Sequence, residues 1–349
     1  VFGYCPKLTK LTVATGNKAG LSTNDGKLFA TSKTSVYNST TGQYDEETVT
    51  ALAAWPGASG VITIPTSTGG VATPDAVTSI GYRAFYHNKD ITSVTVPEGI
   101  TGIGSYAFAN CTKLTVASLP ASLSGCTRAF HGCINLTDIT VASGNTAGYS
   151  ASDGKIYYTY KDDETTQVQL IAWPSASGAV TVPENVNILN GSFAGATKLT
   201  SIKIPASVRI GSYTFESCTK LETVEIANGA TYYSPNGIFS GCSALKSITL
   251  PASFTSIKDN MFDYCSSLTT IRLESLIPVG LSRTRYTNAD GSSFYYKPFE
   301  FCTALTTIEV PEPSLELYKA NSAWSEVSGL LTGYSGDFGD VGKALAATD

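Results

Sequence analysis

Histidine is nearly missing from this chain: 349 residues carry only His87 and His131. Each lies just after an Ala-Phe dipeptide in a separate stretch of sequence. The pair is therefore predicted to sit on two turns rather than to converge as an acid–base couple. The other signatures of catalysis are also lacking: no Gly-x-Ser-x-Gly elbow, no His-Glu-x-x-His helix, no Walker loop. Gly102-Ile-Gly104-Ser-Tyr-Ala107 imitates a dinucleotide fingerprint, but the strand–turn–helix setting that would give it meaning is missing. The acidic stretches Asp45–Glu47 and Asp162–Glu164 lack calcium-loop spacing with its turn glycine, so neither a metal nor a cofactor is expected. Charge is scarce too, at 15% of residues with a net charge of -5 and no Lys/Arg cluster. That balance argues against nucleic acid and against an anionic membrane surface as partners. No apolar run approaches the roughly 18 residues that a membrane helix needs. The chain is read as non-enzymatic.

What the sequence has instead is repetition. Seven of its eight cysteines fall in the phrase Cys-x-x-Leu. It begins at Cys5, Cys111, Cys133, Cys218, Cys242, Cys265 and Cys302, and Asn88 and Ala196 head two degenerate copies. Where the beat is unbroken its period is roughly 23 residues, within the range that marks stacked-repeat folds. Cysteines at one slot of a stack point the same way in every turn. Parallel Cα–Cβ vectors suit poorly the geometry of a disulfide, so the thiols are expected to be free interior rungs. Cys126 alone is off the beat.

Each repeat divides into two halves. The second ends in a short strand with period two: in Leu199-Thr-Ser-Ile202-Lys-Ile204-Pro205 the isoleucines point inward while Ser201 and Lys203 point outward. Proline ends the strand because it has no N–H for a further ladder bond. The first half, Ala-Phe, places a large ring inside the turn at Phe85, Phe108, Phe130, Phe193, Phe215, Phe239, Phe262 and Phe299. One repeat buries too little to fold alone, but a stack of about nine completes each core with its neighbours.

The pattern Ile-Gly-x-x-Ala-Phe-x-x-Cys-x-x-Leu-x-x-Ile-x-Ile-Pro closely resembles the BspA-like leucine-rich repeats of bacterial surface proteins. The resemblance covers residues 1 to about 327, with Val310–Trp324 similar to the family's closing segment. It implies a curved β-rich solenoid with a parallel sheet on one face, secreted or displayed on a cell surface, an outer-membrane lipoprotein being one such form. It also implies a role in adhesion or host interaction. The chain opens in mid-repeat, since Val1-Phe2-Gly-Tyr-Cys5 matches later Ala-Phe-x-x-Cys phrases, and an upstream segment carrying any signal is expected to precede it. Residues 328–349 read as a C-terminal extension or linker.

Three inserts break the beat, at 16–55, 144–173 and 274–300. The first two are related: each carries Gly-Asn-x-Ala-Gly, then Asp-Gly-Lys, then Ala-Trp-Pro. Each is predicted to be a β-hairpin with an acidic tip, at Asp45–Glu47 and Asp162–Glu164. The outward strand positions, such as Ser201, Lys203, Thr223 and Glu225, are Ser/Thr-rich with mixed charge, a weak basis for protein anchoring. Aromatic candidates for ligand contact therefore lie on the inserts. Tyr158 and Tyr160 are expected on one face of the second hairpin with Tyr157 on the other, and Tyr286, Phe294, Tyr295 and Tyr296 lie in the third insert. The leading functional expectation is binding of a host or matrix protein, or of a glycan, through these inserts. The alternative is a spacer module in a larger surface protein. The sequence leaves the ligand and the oligomeric state open.

Overall fold

The computed structural model describes residues 12–13, 19–38, 43–69, 76–163, 165–234, 236–258, 260–282, 285–287, 293–295, 299 and 301–338. The phrase at Cys5, the side chains of Tyr286, Phe294 and Tyr295, all of Tyr296 and the stretch past 338 lie outside what is described. The chain forms two compact units, one from residues 1–166 and 170–175 and one from 167–169 and 176–349.

In each unit the Ile-x-Ile strands stack in parallel. Unit 1 holds Gly60–Thr63, Ile91–Thr95, Val116–Leu119 and Asp138–Val141 in that order, all parallel. Unit 2 holds Ser177–Thr181, Lys198–Ile204 and Thr223–Ile226, then Ser247–Leu250, Thr270–Leu273, Thr307–Pro311 and Leu331–Tyr334. Among the described residues these sheets of four, three and four strands amount to about eleven turns of β-solenoid over the two units, against about nine expected. The difference has a physical source. Gly60–Thr63, Ser177–Thr181 and Leu331–Tyr334 follow no Cys-x-x-Leu phrase. Before the first of them Trp55 takes the phenylalanine place, 6.3 Å from the Phe85 ring, and Ala58 closes the turn by donating its N–H to the Trp55 carbonyl. Leu331–Tyr334 extends the ladder past the expected boundary at 327.

A second, shorter parallel ladder, not foreseen from sequence, forms just before the Ile-Gly turns. It joins Val77–Ile80 to Gly102–Ile103 in unit 1, and Val186–Ile188 to Arg209–Ile210 and Thr231–Tyr232 in unit 2. The glycine of Ile-Gly is there for closeness. A Cβ on Gly211 would lie 2.5 Å from the Asn190 nitrogen, and one on Gly104 would lie 2.7 Å from the Tyr82 nitrogen.

The interior is a pile of like rings. Phe85 and Phe108 stack with centroids 4.8 Å apart at 4°, and Phe108 and Phe130 at 5.4 Å and 7°. In unit 2, Phe193, Phe215, Phe239 and Phe262 repeat the arrangement at 5.4 to 5.6 Å. Stacked and offset rings exclude water from each turn and fix its spacing.

The cysteines form a second interior column. Cys111, Cys126, Cys133, Cys218, Cys242, Cys265 and Cys302 are all buried and unbridged. On the beat, each thiol donates to the phenylalanine carbonyl of the preceding turn: Cys111 to Phe85 at 3.3 Å, Cys133 to Phe108 at 3.0 Å, Cys242 to Phe215 at 3.2 Å. That carbonyl already accepts a turn N–H, as when Cys111 N donates to Phe108 O, so the thiol satisfies its second lone pair. Asn88, in the same slot, reaches further with its amide and donates to the Ala58 carbonyl at 2.8 Å. Burial pushes the thiols of Cys126, Cys218 and Cys302 up to about 12.

Unit 2 ends in a cap. The helix Leu315–Ala320 and the 3-10 segment Ser322–Leu330 bring Tyr318 and Trp324 into full burial, rings 5.2 Å apart and edge-on at 74°. Trp324 Nε1 donates to the Val279 carbonyl at 2.8 Å, and the Tyr318 hydroxyl bonds the Ile277 carbonyl at 3.1 Å.

Candidate functional site

The related inserts are three-stranded, which corrects the single-hairpin expectation. Leu21–Asn24 pairs antiparallel with Lys27–Asn38, which pairs antiparallel with Gln43–Ala54. In the second insert Tyr149–Ser152 pairs antiparallel with Lys155–Asp162, whose other neighbour is Thr165–Ala172. The Asp-Gly pairs make the extra turn: Asp25 and Gly26, like Asp153 and Gly154, both have positive φ, as a two-residue hairpin turn requires. The following lysine is locked in the same way twice. Lys27 lies 4.4 Å above the Trp55 ring and 3.2 Å from Asp25, and Lys155 lies 4.5 Å above Trp173 and 3.8 Å from Asp153. The acidic stretch of the first insert is not at a tip. Asp45 to Glu47 run within a strand opposite Val36 to Thr34. In the second insert Asp162 and Asp163 do flank the turn, where Asp163 has φ 50°.

Of the aromatic candidates, Tyr158 and Tyr160 lie on one strand face with rings 5.6 Å apart at 21°, and Tyr149 from the neighbouring strand packs 5.1 Å from Tyr158. Tyr157 sits opposite Ser150 and faces the other way. All are half-buried. The Tyr149 N–H donates to Asn145 Oδ1, and the Asn145 amide donates to the Ala121 and Leu123 carbonyls, so these bonds root the row in the stack. The third insert, expected to be irregular, contains a short antiparallel pair, Arg285–Thr287 with Ser293–Tyr295, placing Tyr286 opposite Phe294. Its ring contacts lie outside the described residues.

The open sheet face spends its charges on itself. Lys203 pairs with Glu225 at 2.7 Å, and Arg272 Nε with Glu309 at 2.5 Å. A shallow depression of about 350 Å³ lies over Ala179–Thr181, Ser201–Lys203 and Thr223–Glu225, lined by that same pair. Among the described residues no group of three or more His, Cys, Asp or Glu is placed to hold a metal ion, and no helix is long and apolar enough to cross a membrane.

Sequence reading missed one arrangement, on the turn side of unit 1. The residue two before the core phenylalanine adopts positive φ in three successive turns: Arg83 at 57°, Tyr106 at 59°, Arg128 at 60°. Side chains at one slot in adjacent turns must meet. The Arg83 guanidinium lies 4.9 Å from the Tyr82 ring, 4.7 Å from Tyr86 and 5.6 Å from Tyr106, and that of Arg128 lies 4.6 Å from the Tyr106 ring and bonds its hydroxyl. His131 packs 5.4 Å from Tyr106, and His87 meets the Asn110 amide at 3.1 Å. His131 is lowered to about 4, by burial first and then by the charges of Arg128 and His87, and His87 is lowered by burial, Lys89 and Arg83. The only sequence signal was the pair of variable letters inside Ile-Gly-x-x-Ala-Phe, which read as noise until the turns are stacked.

Fold and repeat together define a leucine-rich-repeat solenoid. The profile of the BspA type leucine rich repeat region matches six copies over residues 66–152 and 177–280, more than half of the chain. The chain belongs to that family. No curated protein is a significant match. Among solved structures, a leucine rich cell surface protein from Faecalibacterium prausnitzii is 21% identical, covering 92% of this chain and 100% of its own, with a TM-score of 0.42. A leucine-rich repeat protein from Bacteroides ovatus is 21% identical over 80% of this chain and 69% of its own, TM-score 0.36. The pneumococcal vaccine antigen PcpA is 14% identical over 92% and 100%, TM-score 0.42.

Proposed function

We propose that the protein is a non-enzymatic binding protein, secreted or displayed on a cell surface, that recognises a protein or glycan ligand through its inserts. The observation that carries this reading is the Tyr149–Tyr158–Tyr160 row. Its rings are half-exposed, ordered against one another and rooted beside the repeat core, so little rotamer freedom is lost when a ligand covers them. Rigid scaffolds commonly carry recognition on such projections. The surface location rests on the family.

The test is an array of glycans and matrix proteins probed with the intact chain and with a Tyr158→Ser/Tyr160→Ser variant. Capture of the ligand should fall by about ten-fold or more, with the melting temperature nearly unchanged because both rings are partly exposed. Unchanged capture by the variant would sink the insert reading. A wild-type chain that captures nothing on the array would favour the spacer role instead.

A further inference from the structure

Tyr264 and Phe301 stand on the turn side of unit 2, each in the slot just before a beat cysteine. Their rings lie 4.8 Å apart at 22°, stacked across successive turns. The same slot holds Gly132, Gly195 and Gly241, and His87, Asn110 and Ser217, all at positive φ. Tyr264, with φ 59°, is the bulky residue in a conformation that favours glycine and, after it, asparagine and histidine. Burial does not explain the choice, since Tyr264 is 60% exposed. Phe239 and Phe262 stack at 5.6 Å inside the same unit, whereas this pair holds a ring out in water.

Phe301 covers one face of the Tyr264 ring. One turn back along the stack the slot is Gly241, which has no side chain to cover the other. Backbone bonds keep these turns in register, Ser217 N donating to Ser240 O and Gly241 N to Asp263 O. Ser217 and Gly241 thus pave a lane that ends at the open face of Tyr264. Hydroxyls border it. A Cβ on Gly241 would come within 3.3 Å of Ser217 Oγ. Ser243 Oγ donates to the Thr219 carbonyl at 3.4 Å, which leaves its lone pairs to accept from a ligand.

We infer that this lane binds a neutral, β-gluco-configured sugar that lays its C–H face on the Tyr264 ring. A hexopyranose with equatorial hydroxyls is a flat disc of aromatic-ring size, apolar on its faces and polar round its rim. Stacked on Tyr264, it takes apolar carbon out of water on both sides of the contact. Its rim hydroxyls then meet Ser217 and Ser243 on either side of Gly241. Phe301 behind the tyrosine fixes the tilt of the platform, so little rotamer freedom is lost on binding. A folded protein partner would want a pocket that buries an apolar anchor at the centre of the contact, and here a single open ring is edged by serines. The site lies on the repeat turns, apart from the Tyr149–Tyr158–Tyr160 row, and does not depend on it.

Cellotetraose, a neutral β-gluco chain, is the direct probe. Poly-L-proline, whose extended helix docks on exposed aromatic rings, stands for a peptide ligand. Calorimetry on the intact chain should show cellotetraose binding with a Kd of about 1 mM or tighter, hardly changed by salt because the ligand carries no charge. Tyr264→Gly should weaken it by about ten-fold or more, while Tyr264→Phe, which keeps the ring face, should retain most of it. Glycine already fills this slot at Gly195 and Gly241 and suits positive φ, so the glycine variant should melt no earlier than the parent, and its loss of binding is not a loss of fold. The Tyr158→Ser/Tyr160→Ser variant should bind cellotetraose as the parent does, which separates this site from the insert reading. No binding by the parent, equal binding by Tyr264→Gly, an equal loss in Tyr264→Phe, or poly-L-proline binding more tightly than cellotetraose would each overturn the inference.

Discussion

Phe108→Ala should cost unit 1 about 3–5 kcal/mol of unfolding free energy, the usual range for emptying a buried aromatic site. Phe108 is fully buried, and it stands between two partners, Phe85 at 4.8 Å and Phe130 at 5.4 Å, so alanine breaks both stacks at once. The cavity has no easy way to collapse. The turns above and below are pinned by backbone bonds on both sides of the ring, with Phe85 N donating to Ala107 O and Phe108 N to Ala129 O. In a repeat stack the loss is a broken interface between neighbours, so unfolding should also lose cooperativity at this turn. Urea unfolding followed by far-UV circular dichroism is the check. A cost below about 1 kcal/mol would mean that the ring pile is not what holds the turns together.

Trp324→Ala should be comparably severe for the end of unit 2. The indole is fully buried, its Nε1 donates to the Val279 carbonyl, and its ring meets that of Tyr318 edge-on at 5.2 Å. Truncation leaves a large void and an unsatisfied carbonyl, the latter alone worth about 1–3 kcal/mol. Trp324→Phe, which keeps most of the volume and loses the bond, should cost much less. Hydrogen exchange resolved by peptide locates the effect. Residues 312–334 should lose protection in the alanine variant while Thr223–Ile226 keeps it, because repeats depend on their immediate neighbours. Uniform loss across unit 2, or none at the closing segment, would contradict the capping role of this tryptophan.

Much of the architecture was legible because it is periodic. Alternation placed Ile202 and Ile204 inward and Lys203 outward, and the fixed slot of Cys-x-x-Leu made the thiols interior and parallel. Turns built without the phrase were not legible. Trp55 and Ala58 occupy the ring and thiol places of a turn, yet in sequence they read as the end of an insert. The second parallel ladder escaped notice because two residues per turn, such as Gly102–Ile103, are too few to show a period. The number of insert strands was not legible, since Asp25-Gly26 by itself does not distinguish a bend from a two-residue hairpin turn. Tyr158 and Tyr160 follow from strand alternation alone. The Arg83–Tyr106–Arg128 ladder does not, because its members are neighbours only across turns and vary from copy to copy.

The central claim is that the cysteine beat is packing, a column of buried thiols, and that the chemistry of recognition lies elsewhere on the surface. Six beat cysteines, from Cys111 to Cys302, report on it turn by turn. Site-resolved alkylation under non-reducing conditions is the measurement, run on native and urea-unfolded protein from pH 7 to pH 9. Unfolded thiols ionise at about 8.5 and should label faster as pH rises through that range. Native Cys218 and Cys302, raised to about 12, stay protonated there, so their labelling should be limited by opening of the fold. The account predicts native labelling far slower than unfolded labelling at all six positions, and no disulfide. Rapid native modification of these thiols, or a disulfide between successive turns, would contradict it.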